Sequence, residues 1–515
     1  MDLTAEKSPQ HVFGHPAALF VLFFTEMWER FSYYGMRALL TVFLVSTISE
    51  GGWGWTSAEA LQLYGLYTSL VYATPLLGGL LADKVLGYRK AILIGALVMT
   101  LGHAAMALEG IHQYFFYVGL IFMILGNGMF KPNISSMVGQ LYPDNSPKKD
   151  AGYTIFYMGI NAGAFLGSLL CGYLGEKIGW HYGFGLAGVF MFFGMLQFYF
   201  GQKIFGVIGN QPKREVAVTE VVENEVEDVP ANVVKDRLFV ISVLMIASIF
   251  FFFAFEQAGG SMTIFAKDYT QRVLEGTAAT TFKWVDALLT LVPIVAVTIV
   301  LWRLASKIAR EYPLTIFFTA VSFASISILG FWKIYREFNA LETEVTVSWF
   351  QILNAFFIVT LASLFSRLWE RVWNPSGPVK FALGLILVGV GFLVLAYGSM
   401  GINDGNGNIV KVSMAWLILA YFFHTLGELC LSPVGLSYVS KLSPKKLLGL
   451  IFGFWFLASA ISNFLAGWTG GMIDRIAENY SMSTFFLIIA ALPVAVGLIL
   501  ILMNPMLKRK MHGIR

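Results

Sequence analysis

The sequence predicts an all-α membrane protein: two six-helix bundles plus an inserted two-helix hairpin, fourteen transmembrane helices in all. Three observations predict it. Of 515 residues, 57% are hydrophobic and 13% charged, whereas soluble domains hold about 45–50% apolar and about 25% charged residues. The apolar excess runs in blocks long enough to cross a bilayer, about 20 residues each. Lys and Arg fall unevenly between the loops, roughly 24 on one side and roughly 8 on the other, as the positive-inside rule requires. That rule puts both termini in the cytoplasm and accounts for the net charge of +4 without a nucleic-acid partner.

In chain order, spans are expected near 16–46, 59–82, 90–109, 112–139, 151–174 and 182–206. These form an N-terminal bundle, 16–206. The first 15 residues are polar and lack a signal-peptide core, so the first helix is expected to act as its own insertion signal. A cytoplasmic linker, 207–237, follows; it is acidic, lacks aromatics after Phe205 and contains Pro212 and Pro230. A C-terminal bundle, 238–506, holds spans near 238–266, 284–304, 313–333, 347–370, 379–400, 413–438, 447–470 and 481–504. Of these, 284–304 and 313–333 have almost no intramembrane charge apart from Asp286, and look like a peripheral hairpin inserted at about 283–335. Removing it leaves six helices before the linker and six after, the pattern of two related bundles across a central cavity.

The first span carries the functional signal. Glu26, Arg30, Tyr33 and Arg37 recur at i, i+4, i+7 and i+11, with Glu29 and Tyr34 flanking. One helix face therefore holds acid, base and phenol. Charges within a membrane helix are costly unless paired or turned to a watery cavity, so such a stripe reads as a working site. Cys171 and Cys430 both fall in apolar spans, so neither a disulfide nor a metal site is expected. His103 and His424 read as core residues.

Two sets of motifs resemble known families. Gly78-Gly-Leu-Leu-Ala-Asp83-Lys-Val-Leu-Gly87-Tyr-Arg89 resembles the loop between the second and third helices of the major facilitator superfamily. Glu26-x-x-Glu29-Arg30-Phe31-x-Tyr33-Tyr34-Gly35 resembles the first-helix signature of the proton-coupled oligopeptide transporter family. So do Gly126-Asn-Gly-Met-Phe-Lys131-Pro-Asn-Ile-Ser135, Phe156-Tyr157-Met-Gly-Ile-Asn161-Ala-Gly163, Phe255-Glu256-Gln257-Ala-Gly-Gly-Ser261, Ser348-Trp349-Phe350-Gln351-x-x-Asn354 and Gly427-Glu428-Leu-x-x-Ser432-Pro433-x-Gly435. The motifs fall in the family's order. One departure is that the hairpin follows Glu256, between the seventh and eighth core helices, whereas familiar prokaryotic members place it before the seventh.

The resemblance implies a major facilitator fold and a symporter that imports di- and tripeptides by alternating access, with protons as the coupling ion and no other cofactor. A small peptide is a zwitterion, and a site for it needs opposite charges held apart. Arg30, Arg37 and Lys131 supply the basic side; Glu428, with Ser432 one turn on, supplies the acidic side. Asn161 and Asn354 suit the peptide bond. Tyr34, Tyr72, Tyr157 and Trp455 suit aromatic walls. Glu26, Glu29, Arg30 and Glu428 are the proton-coupling candidates. Lys131–Glu428 and Arg37–Glu256 are expected as gating ion pairs between the bundles, and Asp83 and Arg89 as a cytoplasmic gate.

Other classes fit less well. An enzyme would need a metal cluster or a nucleophile–base pair at an aqueous face, and neither is visible in the sequence. A channel also lines its pore with charge, but a stripe spread over two opposed bundles suits alternating access. Within transport, the alternative is uptake of another small solute such as nitrate. Retention of both Glu26 and Glu29 beside Arg30 favours proton coupling over it. The expected setting is a bacterial inner membrane, multi-pass in the lipid bilayer, with a monomer as the functional unit.

Overall fold

The computed structural model describes residues 10–143, 146, 148–210, 230–402, 409–444 and 447–514. Residues 211–229, most of the expected linker, lie outside the described residues. In order the helices are α1 (Ala17–Val45), α2 (Ser57–Leu81), α3 (Tyr88–Met106), α4 (Gln113–Gln140), α5 (Lys149–Lys177), α6 (Trp180–Gly201), α7 (Ala231–Phe255) and α8 (Ser261–Asp268). They continue as α9 (Gly276–Ile308), α10 (Pro313–Asn339), α11 (Ile352–Arg371), α12 (Gly377–Gly398), α13 (Ala415–Leu442), α14 (Leu448–Gly470), α15 (Ile473–Asn479) and α16 (Met482–Lys510). Among the described residues, 13 helical stretches are long and apolar enough to cross a membrane. With α1, 29 residues long but carrying four charges, they make the fourteen expected.

The chain divides into two compact units. One holds Met1–Leu40, Thr74–Pro212 and Val273–Ile352; the other holds Thr41–Ala73, Lys213–Arg272 and Leu353–Arg515. Among the described residues the boundaries fall inside α1 and α2, between α8 and α9, and at the start of α11.

In the first unit, α5 meets α1 through a glycine ridge. A Cβ on Gly163 would lie 2.1 Å from the Met27 carbonyl, and one on Gly167 would lie 2.2 Å from that of Phe31. Small residues at this spacing let two helix backbones approach where lipid supplies no hydrophobic drive. The other side of α1 is aromatic: Trp28 stacks on Phe190 of α6, ring centroids 5.0 Å apart, and also meets Phe323 of α10 at 5.2 Å. The hairpin α9–α10 therefore packs within this unit, on α1, α5 and α6.

The expectation that the hairpin carries almost no charge beyond Asp286 is corrected. Lys333, 2% exposed, ion-pairs with Asp286 at 2.5 Å, and Glu337 is also buried. Asp286 accepts from Trp349 Nε1 at 3.2 Å, and Glu337 accepts from the Tyr173 hydroxyl at 2.6 Å. Lys333 Nζ lies 5.4 Å from the Tyr173 ring centroid. Glu176 of α5 accepts the backbone N–H groups of Val347 and Ser348 at 2.7 and 2.8 Å, satisfying amides at the first turn leading into α11. A network of this kind requires every member, because removing one partner leaves a buried charge uncompensated.

In the second unit α7 begins at Ala231, earlier than expected. Pro230 stands at its N-cap, and Asp236 pairs with Lys510 and with His512, so the polar first turns are held against the end of α16. The expected helix 238–266 is interrupted by a 3₁₀ turn at Glu256–Gly259 before α8. Gly259 is required there: its carbonyl accepts from Thr41 Oγ1 at 2.7 Å, and a Cβ would sit 1.9 Å from the Tyr64 hydroxyl.

Candidate functional site

In the first unit the site is built on α1. Arg30 Nε contacts Glu26 Oε1 at 2.9 Å and Glu29 Oε2 at 2.5 Å. Arg30 Nε and Glu29 Oε2 share no aligned hydrogen bond, so their approach is a charge contact. The second Glu29 oxygen accepts from Asn127 Nδ2 of α4 at 2.7 Å. All three charged groups are buried, Glu29 completely. Lys131, one turn beyond Asn127 on α4, is within electrostatic reach of both carboxylates. The unit thus gathers two acids and two bases, and one proton or one anion changes the balance among them. Arg30 also lies over the Tyr33 ring at 5.6 Å, and Arg37 over the Tyr34 ring at 5.9 Å.

Asn161 is buried on α5, and its Nδ2 donates to the Tyr157 carbonyl of its own helix at 2.9 Å. That bond uses one of the two N–H donors of the amide and leaves the other and Oδ1 for a ligand. Tyr157 itself is 47% exposed. At the end of α2, Arg89 does not clasp Asp83. Its Nε and Nη2 donate to the carbonyls of Ile208 and Gly206, both at 2.6 Å, tying the start of α3 to the chain beyond α6. Asp83 bonds the Tyr88 hydroxyl instead.

In the second unit Asn354 of α11 donates to Glu428 Oε2 of α13 at 2.8 Å and to Thr425 Oγ1 at 3.2 Å. Thr425 in turn donates to the Tyr421 carbonyl of its own helix at 2.8 Å. Ser432 Oγ is buried with no hydrogen-bond partner among the described residues. Glu256 is buried at the α7 break and acts electrostatically on Glu428. Trp455, 6% exposed, packs on Gly435 and on the Phe381 ring, so it is embedded between helices. Tyr72 is half-buried on α2.

Sequence reasoning missed three participants. Asn127 sits in a quoted motif four residues before Lys131, a spacing that places both on one face of α4. Thr425 stands three residues before Glu428 on α13. Gln257, quoted within the Glu256 motif, is a joint rather than a site: it donates to the Ala466 carbonyl at 3.1 Å and accepts from Ser261 Oγ at 2.6 Å.

The profile of the POT family matches residues 89–226 and 312–486, more than half of the chain. The chain belongs to the POT family. It is similar to the peptide transporter YePEPT of Yersinia enterocolitica subsp. palearctica, 31% identical over 97% of this chain and 96% of that one. It is also similar to a di-/tripeptide transporter of Lactococcus lactis subsp. cremoris, 31% identical over 99% of both chains. Among solved structures, a POT peptide transporter in complex with alafosfalin matches with a TM-score of 0.75 and 31% identity, over 98% of each chain. This POT-family chain therefore has the major facilitator fold that its motifs imply. Between its two matched segments the profile leaves 227–311, which contains α7, α8 and α9, and it also leaves 1–88 and 487–515.

Proposed function

We propose that this POT-family protein imports di- and tripeptides with protons by alternating access, as a multi-pass protein of a bacterial inner membrane. The observation that carries the reading is the pairing of Glu29 with both Arg30 and Asn127. While ionised, Glu29 neutralises Arg30 and competes with a peptide carboxylate for that cation and for Lys131. Protonation releases a cation to the substrate, so proton and peptide favour the same state, and the coupling is reciprocal in binding free energy.

In this reading Arg30, Arg37 and Lys131 face the peptide carboxylate and Glu428 faces its ammonium. Asn161 and Asn354 address the amide, and Tyr34, Tyr72, Tyr157, Ser432 and Trp455 complete the walls. Glu26 supports Glu29 as a proton carrier. Lys131–Glu428 and Arg37–Glu256 are the two gates, each broken in turn as the bundles rock. Asp83 and Arg89 act at the cytoplasmic side, both termini are cytoplasmic, and the monomer is the working unit. Uptake of labelled dialanine into proteoliposomes tests the activity. Accumulation driven by an inward proton gradient, and competed by dipeptide but not by nitrate, is the expected result. Gradient-independent uptake, or competition by nitrate alone, would defeat it.

A further inference from the structure

Away from the charged sites, the second unit contains a cavity of about 720 Å³ where the first turn of α12 meets the last turns of α13 and α16. Each helix contributes one lysine to it: Lys380, Lys441 and Lys508. No acidic residue is among its described lining. Lys380 Nζ is steered by Asn374 Oδ1 at 2.8 Å and by the Trp369 ring at 4.9 Å, and it lies close enough to Lys441 for the two charges to act on one another. Like charges gathered on one cavity repel, and an anion in their midst relieves that repulsion.

Two further features indicate which anion. The wall between the lysines is mixed, with Pro433, Val434, Met511 and Ile514 giving it an apolar side beside Asn374, Ser376, Ser437 and Tyr438. A free inorganic anion has no use for that apolar side, whereas a phospholipid brings glycerol and acyl carbons with its phosphate. Trp369 and Trp373, ring centroids 6.1 Å apart, flank the site, and Trp373 is exposed. Paired tryptophans beside a basic cluster at helix ends mark the headgroup level of a membrane.

We propose that the Lys380–Lys441–Lys508 cavity binds the phosphate of an anionic phospholipid, with the lipid backbone against Met511 and Ile514. Lipid bound there bridges the ends of three helices and ties the C-terminal segment to the membrane surface.

The test is thermal unfolding of the purified full-length protein in a nonionic detergent. It is titrated separately with dihexanoyl-phosphatidylglycerol, dihexanoyl-phosphatidylcholine and inorganic phosphate. Phosphatidylglycerol is expected to raise the midpoint saturably, phosphatidylcholine and inorganic phosphate far less. The combined K380Q/K441Q/K508Q variant is expected to lose the shift. Should that variant fail to fold, Lys508→Gln alone is expected to raise the half-saturating phosphatidylglycerol concentration about fivefold, the effect of one basic residue at a lipid surface. An equal shift with phosphatidylcholine, an unchanged response in the lysine variants, or a shift supplied wholly by inorganic phosphate would each overturn the lipid assignment.

Discussion

Asn354 Nδ2 holds Glu428 Oε2 at 2.8 Å and Thr425 Oγ1 at 3.2 Å, so one amide joins α11 to a carboxylate and a hydroxyl on α13. A substrate that enters here must replace these bonds or extend them. Asn354→Ala is therefore expected to weaken dipeptide binding by about 1–3 kcal/mol, the cost of a polar group left unpaired. Asn161→Ala is expected to do the same in the first unit. Equilibrium binding of a labelled dipeptide measures both, with the thermal midpoint as a check on folding. If both variants keep wild-type affinity, the peptide lies elsewhere.

Glu29→Gln is expected to uncouple transport rather than stop it. The amide mimics a protonated carboxyl and keeps a polar group facing Asn127. Peptide counterflow should persist, while an imposed proton gradient should no longer concentrate peptide. If Glu29 only anchors packing, counterflow and expression fall together. Wild-type accumulation by the variant would show that this carboxyl is dispensable for coupling.

Lys131→Ala is expected to abolish proton-driven uptake while the protein still folds. It removes a cation that acts on both Glu26 and Glu29, and breaks the proposed pairing with Glu428. Gradient-driven uptake in proteoliposomes and a detergent melting curve separate loss of transport from loss of fold. Normal uptake would remove Lys131 from the mechanism.

The Asp286–Lys333 pair yields a prediction about stability. Lys333→Met alone strands Asp286 in the first unit's interior and is expected to cost about 3–5 kcal/mol. Combining it with Asp286→Leu removes both charges and is expected to restore most of the loss, even though Trp349 Nε1 then lacks its acceptor. Thermal midpoints of the two singles and the double form the cycle. Purely additive losses would show that the pair is not an energetic unit.

The charged stripe on α1 was legible because charge in an apolar span is expensive and rarely idle. The motif residues were legible because short chemical patterns survive in order along the chain. The Lys333 pairing was not: its partner is 47 residues away on another helix, and a lone Lys near the end of an apolar run looks like a loop charge. The break after Phe255 was hidden because Gly259 and Gly260 sit in a run otherwise apolar enough to continue. The α1–α5 ridge was hidden for a related reason. Gly159, Gly163 and Gly167 acquire their meaning only from the Phe23, Met27 and Phe31 backbone they face. The role of Arg89 as a tie was equally hidden, because the carbonyls it holds, those of Gly206 and Ile208, lie 117 and 119 residues further along the chain.

The pairing of Asp286 with Lys333 also sets an order of events at the ribosome. The acid emerges 47 residues before its base, a delay of about 2–10 s at ordinary synthesis rates of 5–20 residues per second. During that interval α9 offers the bilayer an uncompensated aspartate, which costs about 2.5–3.5 kcal/mol in a membrane helix. Arrival of α10 supplies Lys333 and removes that cost, so joint entry of the two helices into lipid is favoured over entry of α9 alone.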